Sequence, residues 1–138
     1  MQIDTDTALA FLRDHPHAVL ATRRRDGRPQ LSPIVATVDG EGLVAISSRE
    51  TAVKVKNLRR DPYASLCVVN DGFYGEWMQI EGPATILSLP DAMEPLVEYY
   101  RALSGEHPDW DDYRAAMTRD QRVLIRVRPE RAGPNVSG

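Results

Sequence analysis

The stretch that decides the fold spans residues 17–38 and reads HAVLATRRRDGRPQLSPIVATV. Its first part, residues 17–22, is rich in residues that are compatible with a β-strand. Asp26 and Gly27 then form a dipeptide that is typical of a tight turn, and residues 29–38 continue with apolar and β-branched residues. The stretch therefore predicts a β-hairpin.

Two prolines, Pro29 and Pro33, occupy the start of the second strand of this hairpin. Proline has no backbone N–H, so it cannot donate a hydrogen bond to a neighbouring strand. We therefore expect this part of the strand to be an edge, a bulge, or backbone that faces something other than a neighbouring strand.

Turn signals and apolar periodicity extend the pattern in both directions. Helices are predicted over residues 5–14 (with Asp4 or Thr5 as the N-cap), 49–60, 90–103 and 109–118. Further strands are predicted over residues 43–47, 63–69, 76–87 (with a bulge or bend at Gly82 and Pro83) and 123–128. About six antiparallel strands with few helices indicate a mainly β fold, a small closed or nearly closed barrel. Residues 1–138 then form one domain, and its tail, residues 129–138, either covers the site or is disordered.

Composition limits the class of protein. The 138 residues are 42% hydrophobic and 27% charged, which is the balance of one compact domain with a buried core. No apolar run approaches the roughly 18–20 residues of a membrane helix, and the acidic amino end is unlike a signal peptide. We therefore expect a cytoplasmic protein with no membrane partner. A net charge of −3 argues against nucleic acid as a partner.

Neither metal chemistry nor a nucleophilic cysteine is expected. The single cysteine, Cys67, excludes an internal disulfide and a zinc-thiolate module, and its apolar neighbours indicate a small buried hydrophobic side chain. The three histidines, His15, His17 and His107, lack the spacing of metal ligands. The sequence contains no evident acid–base dyad, so no catalytic residue is assigned.

A basic cluster near residue 54 is a candidate anion site. If Ser47 and Ser48 end a strand and cap the following helix, free backbone N–H groups point outward there. Lys54 and Lys56 follow about one to two turns into that helix. Together these groups form a local receptor for a phosphate. The alternative reading of the same residues is a solvated helix face.

Three segments, taken together, resemble the pyridoxamine-phosphate-oxidase-like split β-barrel flavoproteins. They are residues 21–33 (ATRRRDGRPQLSP), 54–62 (KVKNLRRDP) and 77–82 (WMQIEG), which occur in the order and spacing of that family. The run NLRRDP and the later GEHPDWDDYR, residues 105–114, look most like the branch that binds the deazaflavin coenzyme F420. The resemblance covers nearly the whole chain. It implies a homodimer with two cofactor sites at the subunit interface, each built from both chains.

The resemblance also implies which residues bind the cofactor. Of the anion-site residues Ser47, Ser48, Lys54 and Lys56, the resemblance supports Lys54 in particular as a phosphate ligand, although Ala52 stands where family members often carry an arginine. Asn57, in the NLRRDP run, is also expected to bind the cofactor. The resemblance implies that Gln30, Leu31, Ser32 and Pro33 contact the ring system of the cofactor. Because the prolines prevent strand pairing on one side, backbone groups there stay available to the ring. It also implies that Trp77, Met78 and Gln79 of the other subunit form one wall of the cofactor site. From the residues alone, two alternatives stay open. The proline-containing segment could be an edge strand that is protected against aggregation, and Trp77 could be a core or dimer-interface residue.

The function implied by the resemblance is F420-dependent reduction. A hydride moves between the deazaflavin and an unsaturated organic substrate, such as a quinone, an enone, a nitro compound or a tetrapyrrole. FMN could instead occupy the same cleft and make the chain an FMN-binding, oxidase-like protein. The barrel could also be a carrier that binds a flavin or tetrapyrrole without turnover. The loop at residues 70–75, which contains Tyr74, is a candidate substrate-facing element.

Overall fold

The computed structural model describes residues 4–133, which contain four helices and seven strands. The helices are α1 (Thr5–Asp14), α2 (Val53–Arg60), α3 (Met93–Ser104) and α4 (Trp110–Arg119). The strands are β1 (His17–Arg23), β2 (Pro29–Val38), β3 (Val44–Arg49), β4 (Tyr63–Val69), β5 (Trp77–Leu87), β6 (Arg122–Val127) and β7 (Arg131–Gly133). Asp4 caps α1, because its carboxylate accepts a hydrogen bond from the N–H of Asp6 at 2.8 Å.

Six of the strands close into an antiparallel barrel. Their order is β4-β1-β2-β3-β6-β5, and pairing between β4 and β5 completes the circle. The short β7 lies beside β5. The expected mainly β barrel is confirmed.

The first part of β2 is an edge, as its prolines predicted. Residues 29–35 of β2 pair with β1, whereas only residues 36–38 pair with β3. One side of the strand between Pro29 and Val35 therefore makes no ladder hydrogen bonds, and the prolines cost no pairing there. This free edge lies beside the cleft described below.

The bend expected in β5 marks a change of partner. Residues 77–83 pair with β4, and residues 84–87 pair with β6. At the changeover, a Cβ on Gly82 would lie 1.8 Å from the carbonyl oxygen of Arg128. Glycine is required at this position because the backbone after β6 passes directly over it.

The barrel interior and α1 share one hydrophobic core. Ala8, Leu9 and Leu12 of α1 belong to the same buried cluster as inward-facing residues of the barrel strands, including Leu20, Ile46, Leu66 and Ile80. A second, smaller cluster packs Leu96 of α3 against the outside of the barrel at Ala45 and Leu124. This packing places α3 and α4 beside β3 and β6, and so forms one wall of the cleft.

Two boundaries differ most from those expected. The helix predicted from residue 49 begins at Val53, because β3 continues to Arg49 through its pairing with β6. The tail, expected from residue 129 as a cover or as disordered chain, contributes Arg131–Gly133 as β7; residues 134–138 lie outside the described part. No helix among residues 4–133 is long and apolar enough to cross a membrane.

Candidate functional site

A cleft of about 980 Å³ opens between the β1–β2 hairpin and the helices α2, α3 and α4. Pro33 and Val35 line it from β2, Lys54 lines it from α2, and tyrosines of α3 and α4 line the opposite wall. The volume lies at the upper end of the range for small-molecule sites, roughly 300–1,000 Å³. The cleft therefore has a size that suits a bound cofactor.

The start of α2 forms one corner of this cleft. Ala52 is the N-cap and provides no side-chain oxygen, so the N–H groups of the first turn receive no capping bond from it. Thr51, Ala52 and Lys54 all line the cleft. Burial, and to a smaller degree the positive charge of Arg122, lower the pKa of Lys54 below its usual 10.5. A positive helix end and a partly desolvated ammonium therefore face the same space.

Two arginines add to the positive charge at this corner. Arg49 and Arg122 are directly opposite partners in the β3–β6 ladder, and both line the cleft. The Nε of Arg122 is buried and has no hydrogen-bond partner among the described residues. The neighbouring carboxylate of Glu50 is bound elsewhere: it accepts a hydrogen bond from Arg59 at 2.6 Å. The cleft therefore contains cations without a paired acid.

Tyrosines form the opposite wall. The hydroxyl of Tyr99 donates to the carbonyl of Val35 at 2.7 Å, and the hydroxyl of Tyr113 donates to the carbonyl of Leu96 at 2.8 Å. Burial raises the pKa of Tyr113 to about 12 and raises that of Tyr99 as well. Both side chains are therefore neutral at pH 7 and bring no charge to the cleft.

An exposed apolar surface continues from the cleft along the outside of the hairpin. Val19 is 37% exposed, Leu31 60% and Val35 39%. Val19 lies between Pro33 of β2 and Cys67 of β4 in the ladder, so these side chains share one face. The expectation that Cys67 is buried is wrong, because its side chain points to the outside of the barrel on this face and is exposed. A contiguous apolar surface of this kind is typical of an interaction site. We call it the outer face.

The sequence matches the pyridoxamine 5'-phosphate oxidase family over residues 4–134. The chain belongs to this family. Proteins of this family bind flavin-type cofactors and include oxidoreductases. The residues of this family member fit such a group on physical grounds, because the uncapped start of α2 and the partly desolvated ammonium of Lys54 are suited to a phosphate.

Solved structures share the fold of this oxidase-family chain. The conserved hypothetical protein Rv2991 from Mycobacterium tuberculosis is 24% identical, with a TM-score of 0.77 over 94% of this chain and 82% of that one. An F420 reductase is also 24% identical, with a TM-score of 0.66 over 88% of this chain and 93% of that one. The heme storage protein HutZ from Vibrio cholerae is 17% identical, with a TM-score of 0.69 over 100% of this chain and 98% of that one.

Four of the residues expected to bind a cofactor meet in the cleft of this oxidase-family chain: Pro33, Ser47, Ser48 and Lys54. The prediction that Ser47 and Ser48 cap the helix is wrong, because both lie within β3 and Ala52 is the N-cap. Lys56 is exposed and does not line the cleft, since it lies two residues beyond Lys54 and faces another side of α2.

Gln30, Leu31 and Ser32 lie on the free edge of β2, outside the walls of the cleft. The side chain of Gln30 accepts a hydrogen bond from Arg24 at 3.0 Å, and Leu31 belongs to the outer face. Their expected contact with a ring system stays a prediction.

Asn57 and Met78 are buried in the protein. Asn57 is 4% exposed, and its Nδ2 donates to the hydroxyl of Thr22 at 3.1 Å. Met78 is 1% exposed within the barrel core, which removes its side chain from the expected wall. Trp77 and Gln79, which alternate with Met78 along β5, are half-buried on the outside of the barrel, and their expected role in the other subunit stays a prediction.

Arg49, Arg122, Tyr99 and Tyr113 line the cleft without having been expected there. Phe73, from the loop expected to face the substrate, also lines it and is 66% exposed. Arg49 was expected in the following helix, because its pairing with the distant strand β6 could not be predicted from local sequence. Among the described residues, no group of three His, Cys, Asp or Glu side chains is arranged to hold a metal ion.

Proposed function

We propose that this chain is an F420-dependent oxidoreductase that reduces an unsaturated organic substrate. The observation that carries the proposal is the corner of the cleft where the uncapped start of α2 meets Lys54. Free N–H groups and the helix dipole stabilise a phosphate at such a position. The deazaflavin-like runs at residues 57–62 and 105–114, together with the shared fold of an F420 reductase, support a deazaflavin over FMN.

In this proposal the reduced deazaflavin supplies a hydride when bound. Lys54 and the first turn of α2 hold the phosphate. The unpaired backbone of β2 between Pro29 and Val35 offers hydrogen bonds to the edge of a ring. The protein contributes mainly by positioning, since bringing a donor and an acceptor to roughly 3–3.5 Å removes much of the entropic barrier. No side chain is assigned to proton transfer.

The proposal includes a homodimer in which the outer face covers the open side of the cleft. Val35 belongs both to the outer face and to the cleft wall, so a second chain seated on this face would border the site. Burying Val19, Leu31 and Val35 in the interface would also remove exposed apolar surface from water. The covered site would exclude water from the reacting groups.

A fluorescence titration of the purified protein with F420, and in parallel with FMN, tests the cofactor. We expect tighter binding of F420, which weakens as salt is added. Lys54→Ala should weaken F420 binding by roughly 10- to 150-fold, the range of a charge-assisted hydrogen bond worth about 1.5–3 kcal/mol. The matched control is Lys56→Ala, because Lys56 carries the same charge on the same helix but lies outside the cleft.

Equal and small effects of the two lysine variants on F420 affinity would refute a phosphate site at Lys54 and the start of α2. Preference for FMN would instead favour the oxidase-like alternative within the same fold. Turnover separates an enzyme from a carrier: when a quinone or enone is added to the protein with reduced F420, an enzyme oxidises the cofactor. A carrier changes only the spectrum on binding, and that result would refute the reductase.

A further inference from the structure

Arg49 and Arg122 place two positive charges opposite each other at the end of the β3–β6 ladder. Residues directly opposite in an antiparallel pair project to the same face of the sheet, and like charges in that arrangement destabilise the pair. Both arginines line the cleft. Arg49 is exposed and Arg122 is half-buried, so two like charges that solvent screens only in part lie opposite each other at the wall of the cleft.

The surrounding residues do not neutralise these two charges. Within residues 4–133, no carboxylate lies within 4.0 Å of the charged nitrogens of Arg49, Lys54 or Arg122. Glu50, next to Arg49, binds Arg59 and the hydroxyl of Ser88 instead. The neutral tyrosines of the opposite wall supply no negative charge, because their hydroxyls donate to backbone carbonyls.

Arg122 shows the clearest sign of a missing partner. Its Nε is buried, yet it makes no hydrogen bond to any described residue. A buried donor without a partner costs about 1–3 kcal/mol, and more when it belongs to a charged group. Arginine also presents a planar fork that matches the two oxygens of a carboxylate. Because Arg122 lines the cleft, an oxyanion bound there would supply the partner of opposite charge that this side chain lacks among the described residues.

We propose that Arg49 and Arg122 form a second anion subsite, which binds a carboxylate of the ligand whose phosphate is held by Lys54. The inference rests on the proposed function and extends it. A phosphate that joins a ring-bearing chain to a tail is a diester with one negative charge, and a terminal phosphate monoester carries about −1.5 to −2 at pH 7, so neither neutralises Arg49, Lys54 and Arg122 together. The carboxylate belongs either to the glutamate tail of the deazaflavin or to the substrate.

Citrate, a tricarboxylate, tests the subsite without any cofactor. Calorimetric titration at constant ionic strength should show that Arg122→Gln weakens citrate binding by roughly 10-fold or more. The matched control is Arg128→Gln, because Arg128 is an exposed arginine just beyond the other end of β6. Without citrate, Arg122→Gln should melt at or above the wild-type temperature, since it removes the repulsion with Arg49.

Citrate binding that is absent from the wild type, or equal in the wild type and Arg122→Gln, would overturn the subsite whatever the cofactor. A lower melting temperature of citrate-free Arg122→Gln would also overturn it, because the arginine would then be a structural group.

The same variant distinguishes the sources of the carboxylate. If Arg122→Gln weakens F420 but not FMN, the subsite binds the glutamate tail. If it weakens citrate but neither cofactor, the subsite binds the substrate. Equal weakening of both cofactors would overturn a second subsite, because Arg122 would then act on the phosphate they share. Failure of F420 to bind the wild type, with Arg122-dependent citrate binding intact, would refute the deazaflavin proposal and leave the anion subsite standing.

Discussion

Asn57→Ala should lower the stability of the fold without changing the affinity for a cofactor. Asn57 and Thr22 are both 4% exposed, and they form a side-chain hydrogen bond of 3.1 Å between α2 and β1. Truncation removes this bond and leaves the hydroxyl of Thr22 buried without the amide. Because an unsatisfied buried polar group costs about 1–3 kcal/mol, we expect a loss of about 2 kcal/mol in the free energy of unfolding.

Urea unfolding followed by tryptophan fluorescence measures this loss. With a denaturant slope of about 1–3 kcal/mol per molar urea, a loss of about 2 kcal/mol shifts the midpoint by roughly 1 M. Lys56→Ala, one residue away on the exposed side of α2, is the control and should leave the midpoint nearly unchanged. Thr22→Val in the same background should add little, because the two residues share one hydrogen bond.

The reasoning would be refuted by an unchanged midpoint together with a tenfold weaker cofactor. That outcome would mean that Asn57 reaches the ligand, as the family resemblance implied, and that its bond to Thr22 contributes nothing to the fold.

Three further predictions follow from single positions. Gly82→Ala should abolish or severely destabilise the fold, because its Cβ would meet the carbonyl oxygen of Arg128 at 1.8 Å; recovery of a soluble variant with a wild-type melting temperature would contradict this. Val35→Glu should convert the proposed dimer to a monomer, as measured by light scattering. It should also speed alkylation of Cys67, which is exposed on the outer face of the single chain. A monomeric wild type would refute the proposed dimer. F420 binding should weaken as pH rises through the pKa of Lys54, which is lowered from 10.5, because the ammonium loses its charge there. Lys54→Arg should remove this dependence on pH. The stability of the ligand-free protein should change in the opposite direction. Because the fold disfavours the charged form of Lys54, the contribution of this group to the free energy of unfolding rises with pH between its lowered pKa and 10.5.

Local signals in the sequence were sufficient for most of the fold. The Asp26-Gly27 turn, the prolines of β2 and the residues around Gly82 act over a few positions, so the hairpin, the free edge and the bend could be predicted. The short β7 could not, because Arg131–Gly133 has no strand pattern of its own. It is ordered by pairing with β5, a contact between distant parts of the chain.

The candidate site was less predictable because it depends on which residues end a strand. Ser47 and Ser48 were expected to cap a helix, and the assignment moved the next residue, Arg49, into that helix. In the structure β3 continues through all three, because each pairs with a residue of β6. Extending the strand carries Arg49 to the wall of the cleft, opposite Arg122.

That register separates the basic residues of the cleft from those that stabilise the fold. Arg59 and Arg101 are paired with glutamates, and the hydrogen bond from Arg60 to the carbonyl of Arg23 ties α2 to β1. Arg49 and Arg122 have no such partners among the described residues, although either could have been paired by one acidic substitution in the ladder. Folded proteins depart from local electrostatic consistency chiefly at functional sites. The unpaired arginines therefore give this cleft a positive charge that favours an anionic ligand, whereas the neutral tyrosines of the opposite wall contribute no charge.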